Sequence, residues 1–160
     1  MKPTVQQALE NVEMTYQELN EVANEMTSSF FESVNSIINE LNDINELSND
    51  DIRNYMIKLA LNSYSLAEIK EKSALKAECA EALRKDKYAR SFREAEGSAA
   101  IKENEAVVNT NEQVVVEALY NLIASLFKTK LDEAHRVVDV LKSVLMSRNA
   151  EAKLTTNVID

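Results

Sequence analysis

The chain has 160 residues, a net charge of −9, 45% hydrophobic residues and no Trp. A length of that order makes about one domain. One glycine and one proline exclude sandwiches, barrels and doubly wound sheets, whose many corners need both residues.

Pro3 sits at the start and Gly97 is the single glycine, so little interrupts helix formation. The pattern predicts an all-α protein of three long helices, an elongated bundle or coiled-coil-like assembly that self-associates. The first helix is expected from Thr4 to Asp43. Val5, Leu9, Val12, Tyr16, Leu19, Ala23, Met26, Phe30, Val34, Ile37, Leu41 and Ile44 recur in alternating threes and fours. A sustained period near 3.5 is the coiled-coil signature. Val12, Leu19, Met26, Phe30, Ile37 and Leu41 are therefore the expected self-association residues. The other face is acidic, with Glu10, Glu13, Glu18, Glu21 and Glu25, and suits either solvent or a basic partner.

Residues 42–50 form the first break. Ser48 and Asp51 have capping-box spacing, so a second helix is expected from near Asn49 to about Glu96. Gly97 offers the left-handed geometry that ends a helix, and Ser98 is suited to cap the next. The third helix is expected from Ala99 to about Arg148, with apolar stretches at Val114–Leu126 and Val137–Leu145. The segments are thus 1–45, an acidic heptad helix; 46–150, a hairpin turning at Gly97; and 151–160, a flexible tail.

Charge is unevenly placed. Residues 70–93 carry eight bases against four acids, inside a chain that is acidic on both sides. At 100° per residue, Lys72, Lys76, Lys87 and Arg90 fall within about 60° of one another, with Arg84 and Arg93 flanking. Lys72 to Arg90 spans about 27 Å of helix, enough to follow several phosphates. Tyr88 and Phe92 lie close enough to stack on bases. Ile69 and Leu83 fall inside the same stripe, which makes a packing face, with the bases paired to the acidic first helix, the competing reading.

No catalytic constellation emerges. His135, the one histidine, has only Asp132, Glu133, Arg136 and Asp139 beside it, which a solvated helix face explains as well as a metal or base site. Cys79 sits among Ala77, Ala80 and Ala82 and reads as a small packed residue. A lone cysteine excludes an intrachain disulfide and points to a reducing compartment. A phosphate-cradling glycine loop is ruled out by composition. No enzyme, metal or cofactor is expected. The start, Met1-Lys2-Pro3-Thr4, has no apolar leader, and no apolar run approaches the roughly 20 residues needed to cross a bilayer. A cytoplasmic protein with no membrane or small-molecule partner is expected.

Lys72-Ser73-Ala74-Leu75-Lys76-Ala77, the Tyr88/Phe92 spacing, the Glu96-Gly97-Ser98 break and the pattern Leu141-Lys142-Ser143-(x)4-Arg148 together resemble the recombination mediators of tailed phages. The resemblance covers roughly residues 50–150 and leaves the acidic first helix outside it. It implies a helical homo-oligomer that contacts single-stranded DNA and helps load a recombinase. Lys72 and Lys76 would be the DNA contacts, with Arg84, Lys85, Lys87 and Arg90 as neighbours. Two further readings stand beside it: an acidic helical inhibitor or anti-defence factor acting on a host protein, and a coiled-coil assembly scaffold.

Overall fold

The computed structural model describes the backbone of residues 5–41 and 44–156, and side-chain environments for 12–41 and 44–154. Thr4, Asp43, residues 157–160 and the side chains of Val5, Leu9 and Glu10 lie outside these. Among the described residues there is no strand, and four helices follow in order: α1 Val5–Glu40, α2 Asn49–Glu94, α3 Ala99–Asn109 and α4 Asn111–Thr156.

The expected third helix is therefore two. Thr110 interrupts it, with φ −102° and ψ 0°. Its hydroxyl donates to the carbonyls of Ala106 at 2.9 Å and Val107 at 3.0 Å. Its own carbonyl accepts from the N–H groups of Gln113 and Val114, which begins α4. A buried Thr between two Asn turns its side chain back on the preceding turn, an alternative to continued helix that these residue types offer. α4 also continues to Thr156, beyond the expected end at Arg148.

The other boundaries have local causes. The Ser48 N–H donates to the Asp51 carboxylate at 3.0 Å, and the Asp51 N–H donates to Ser48 Oγ at 3.1 Å, a reciprocal capping box. Gly97 has φ +110° after α2 ends. A Cβ there would come within 3.2 Å of the Ile101 side chain. Ser98 occupies the N-cap position of α3 but makes no side-chain capping bond, and its carbonyl alone receives the N–H groups of Ile101 and Lys102.

The chain resolves into two compact units, each discontinuous in sequence: residues 1–27 with 69–126, and residues 28–68 with 127–160. Their interiors differ in kind. In the first, the buried residues are mostly small: Ala23, Thr27, Ser73, Ala77, Ala80, Ser91, Ala95 and Ala106, with Ile123 the large exception. Small side chains let helix backbones approach closely but remove little apolar surface from water.

The second unit has a conventional core of Val34, Ile37, Ile52, Leu59, Leu66, Leu131 and Leu141 around the fully buried Phe127. Phe30 and Phe31 meet Phe127 edge-on, with ring centroids 5.9 and 5.0 Å away. Polar ties close its edges. Lys130 donates to Asn35 at 2.8 Å, and Tyr55 donates to the Glu40 carboxylate at 3.0 Å.

Candidate nucleic-acid interface

The basic residues of the 70–93 island lie on the α2 portion of the first unit, and they divide into two groups. Arg84 faces α4, donating from Nε to Glu117 at 2.9 Å. Lys87 donates to the Gln113 side chain at 3.1 Å, and the Lys76 ammonium stands 5.1 Å from the centroid of the Tyr120 ring. These three brace α2 against α4. Of the two apolar residues inside the stripe, Ile69 is half-buried and Leu83 is exposed, so the contact with α4 runs through these cationic side chains.

Lys72, Lys85, Arg90 and Arg93 are exposed. Lys85 pairs with Glu81 at 2.6 Å, one turn away. Arg90 pairs with Asp86, with Nε to Oδ2 at 3.1 Å. Hydrogen bonding to these cations holds the Asp86 and Glu81 carboxyls below the usual carboxylate range, and Arg90 is correspondingly raised. Arg93 turns back to donate to the Ala89 carbonyl at 3.1 Å. Lys72 is exposed on the face that Arg90 shares. Pairs of this kind, largely in water, are individually weak and exchange readily for phosphate oxygens.

Beside Arg90 a cleft of about 560 Å³ opens between α2 and the α3–α4 corner. Its lining combines Leu83, Lys87, Arg90, Ser91, Glu94, Asn109 and Gln113. Asn109 Nδ2 donates to Ser91 Oγ at 2.7 Å, which fixes one wall. Asn109 and Gln113 reach this surface from either side of the break at Thr110. The Asn-Thr-Asn triplet was the available signal. Tyr88 and Phe92, both half-buried, stack on each other with centroids 6.3 Å apart and planes 18° from parallel.

On α1, the expected self-association residues are not equivalent. Val12, Met26 and Phe30 are exposed, Leu19 and Leu41 are half-buried, and Ile37 is buried in the second unit's core. Glu13, Glu18, Glu21 and Glu25 are exposed beside them. Elsewhere, His135 lies on an exposed helix face, and Cys79, expected to be packed, is exposed as a free thiol. Among the described residues no group of three or more His, Cys, Asp or Glu is placed to hold a metal ion. No helix among them is long and apolar enough to cross a membrane.

No family model matches the chain, and no curated protein or solved structure is significantly similar to it.

Proposed function

We propose that this chain is a non-enzymatic accessory protein of phage-type recombination or replication. It holds single-stranded DNA along the basic face of α2 while copies of the chain associate with one another and with a recombinase or single-strand-binding protein. The observation that carries this reading is the row of bases on one unbroken helix. Lys72, Lys76 and Arg90 are exposed along it, and Lys87 continues it into the polar cleft.

A strand laid on this row exchanges helix-surface ion pairs for phosphate contacts and releases its counterions. Asn109, Gln113 and Ser91 supply neutral polar groups in the cleft. Each single contact is weak, so several copies acting on one strand provide the useful affinity. Titration of a labelled oligonucleotide at two salt concentrations tests the reading.

A protein partner in place of DNA is favoured by a different observation, the exposed apolar residues Val12, Met26 and Phe30 beside the exposed acids of α1. That surface suits an inhibitor occupying a basic groove, or an assembling scaffold. Failure of the oligonucleotide titration together with capture of one host protein would select this alternative.

A further inference from the structure

The cleft beside Arg90 contains a group that a plain phosphate site excludes. Glu94 lines it together with Lys87 and Arg90. Nearby acids of α2 are occupied: Glu81 pairs with Lys85, and Asp86 accepts from Nε and Nη2 of Arg90 through the single oxygen Oδ2. Glu94, one turn beyond Arg90, has no ion-pair or hydrogen-bond partner among the described residues and is exposed, so both its oxygens are open. The cations keep capacity as well. Arg90 spends one hydrogen each of Nε and Nη2 on Asp86 and retains Nη1 whole. Lys87 gives one hydrogen to Gln113 Oε1 and retains the others. At 100° per residue Leu83, Lys87, Arg90 and Glu94 fall within about 60° of one another, while Asp86 lies outside this arc on the far side of Arg90.

We propose that the cleft takes the unpaired base of a guanine nucleotide whose phosphates follow the basic row of α2. The assignment rests on the strand-binding reading above and adds the base to it. Hydrogen-bond complementarity decides between the bases. A carboxylate with two open oxygens is best matched by two parallel N–H donors. Guanine's Watson–Crick edge carries N1–H beside the N2 amino group, whereas adenine, cytosine and thymine each set a single N–H group against a carboxylate. Guanine's other edge carries O6 and N7, the acceptors that Arg and Lys recognise most often, and Arg90 and Lys87 supply the donors. Both edges are open in a single strand. Glu94 and Arg90 are one turn apart, about 6 Å of helix, so one base can meet both. Leu83 gives the ring face an apolar surface.

The test is anisotropy of a short labelled oligothymidylate at low salt, carrying one central guanine, adenine or cytosine, with the all-thymine oligomer as reference. The guanine oligomer is expected to bind about ten-fold more tightly than the others. Hypoxanthine at the same position, which lacks the N2 amino group, should lose most of that gain, and 7-deazaguanine, which lacks N7, part of it. E94Q should bring the guanine-to-thymine affinity ratio close to one, and E78Q, on the opposite side of α2, should keep it. Both positions are exposed, so these variants keep the fold, and circular dichroism verifies it. Equal affinity for all four oligomers would overturn the inference and leave strand binding standing. So would a preference for cytosine or adenine, or an undiminished ratio in E94Q. Absence of binding by every oligomer would overturn strand binding and this inference together.

Discussion

Arg148 on α4 donates from Nη1 to the carbonyl of Leu47, in the turn between α1 and α2, at 2.6 Å. The same guanidinium reaches the Ile44 carbonyl at 3.0 Å, the Asn45 carbonyl at 3.3 Å and Asn49 Oδ1 at 3.3 Å. A helix-to-helix turn leaves carbonyls without helical partners, and one planar cation with five donors supplies several of them at once. Arg148 thus holds the turn of the second unit from a position about 100 residues away in sequence.

Replacing Arg148 by Ala should lower stability by about 1–3 kcal/mol, the range for hydrogen bonds to a charged group. Lys should recover little of it, because an ammonium cannot span carbonyls set this far apart. Urea unfolding of the three proteins measures both effects.

Gly97 is the position where a side chain is least tolerated on backbone grounds. Gly97→Ala should cost about 1–3 kcal/mol, since a φ of +110° strains any L-residue and its Cβ would press on Ile101. Replacement by a D-alanine in a semisynthetic chain, which accepts a positive φ and directs its methyl away from the L-Cβ position, should cost less, and the two melting temperatures measure the difference.

These two residues also show what could be read from sequence. Gly97 and the Ser48/Asp51 cap act through their own backbone, so their roles were legible from residue type and spacing. The heptad row of α1 was only half legible. It includes Ala23, Val34 and Ile37, which are buried, but it also includes Met26 and Phe30, which are exposed, and it omits the buried Thr27. Where a seam is built from Ala, Ser and Thr, closeness of approach selects the buried side, and hydropathy does not register it. The break at Thr110 and the four carbonyl-side contacts of Arg148 depend on tertiary surroundings that periodicity does not encode. For the basic row, sequence supplied the stripe but could not say that Arg84, Lys87 and Lys76 turn toward α4.

The Arg84–Glu117 pair, with about a third or less of each side chain exposed, should behave as a brace. Arg84→Ala and Glu117→Ala should each destabilise the protein, and a double-mutant cycle should return a coupling of about 0.5–1 kcal/mol that shrinks in high salt. Arg90→Ala, which breaks only an exposed pair with Asp86, should leave stability almost unchanged.

Acid should act first at the start of α2 and the end of α1. The Ser48 hydroxyl and backbone N–H hold the Asp51 carboxyl below its usual range. The Ser36 hydroxyl, followed by the Tyr55 hydroxyl, does the same to Glu40. Both pKa values are depressed in the folded chain, so the stability they contribute is present above the ordinary carboxylate pKa and is lost as pH falls through the lower folded value. Carboxyl-carbon NMR titration should place both midpoints below the ordinary carboxylate values, and Ser48→Ala should move Asp51 part-way back, its backbone N–H donor remaining, while Glu40 stays depressed.

The most direct test of the central proposal is fluorescence anisotropy of a labelled single-stranded oligonucleotide, titrated with the intact chain and with a Lys72→Ala/Lys76→Ala/Lys87→Ala/Arg90→Ala variant at low and at physiological salt. The account predicts binding by the intact chain at low salt, with log affinity falling against log salt at a slope of about −3, as for roughly four phosphates of a single strand. It predicts loss of that binding in the variant with helicity retained. Absence of binding at low salt, or equal binding by a folded variant, would contradict it.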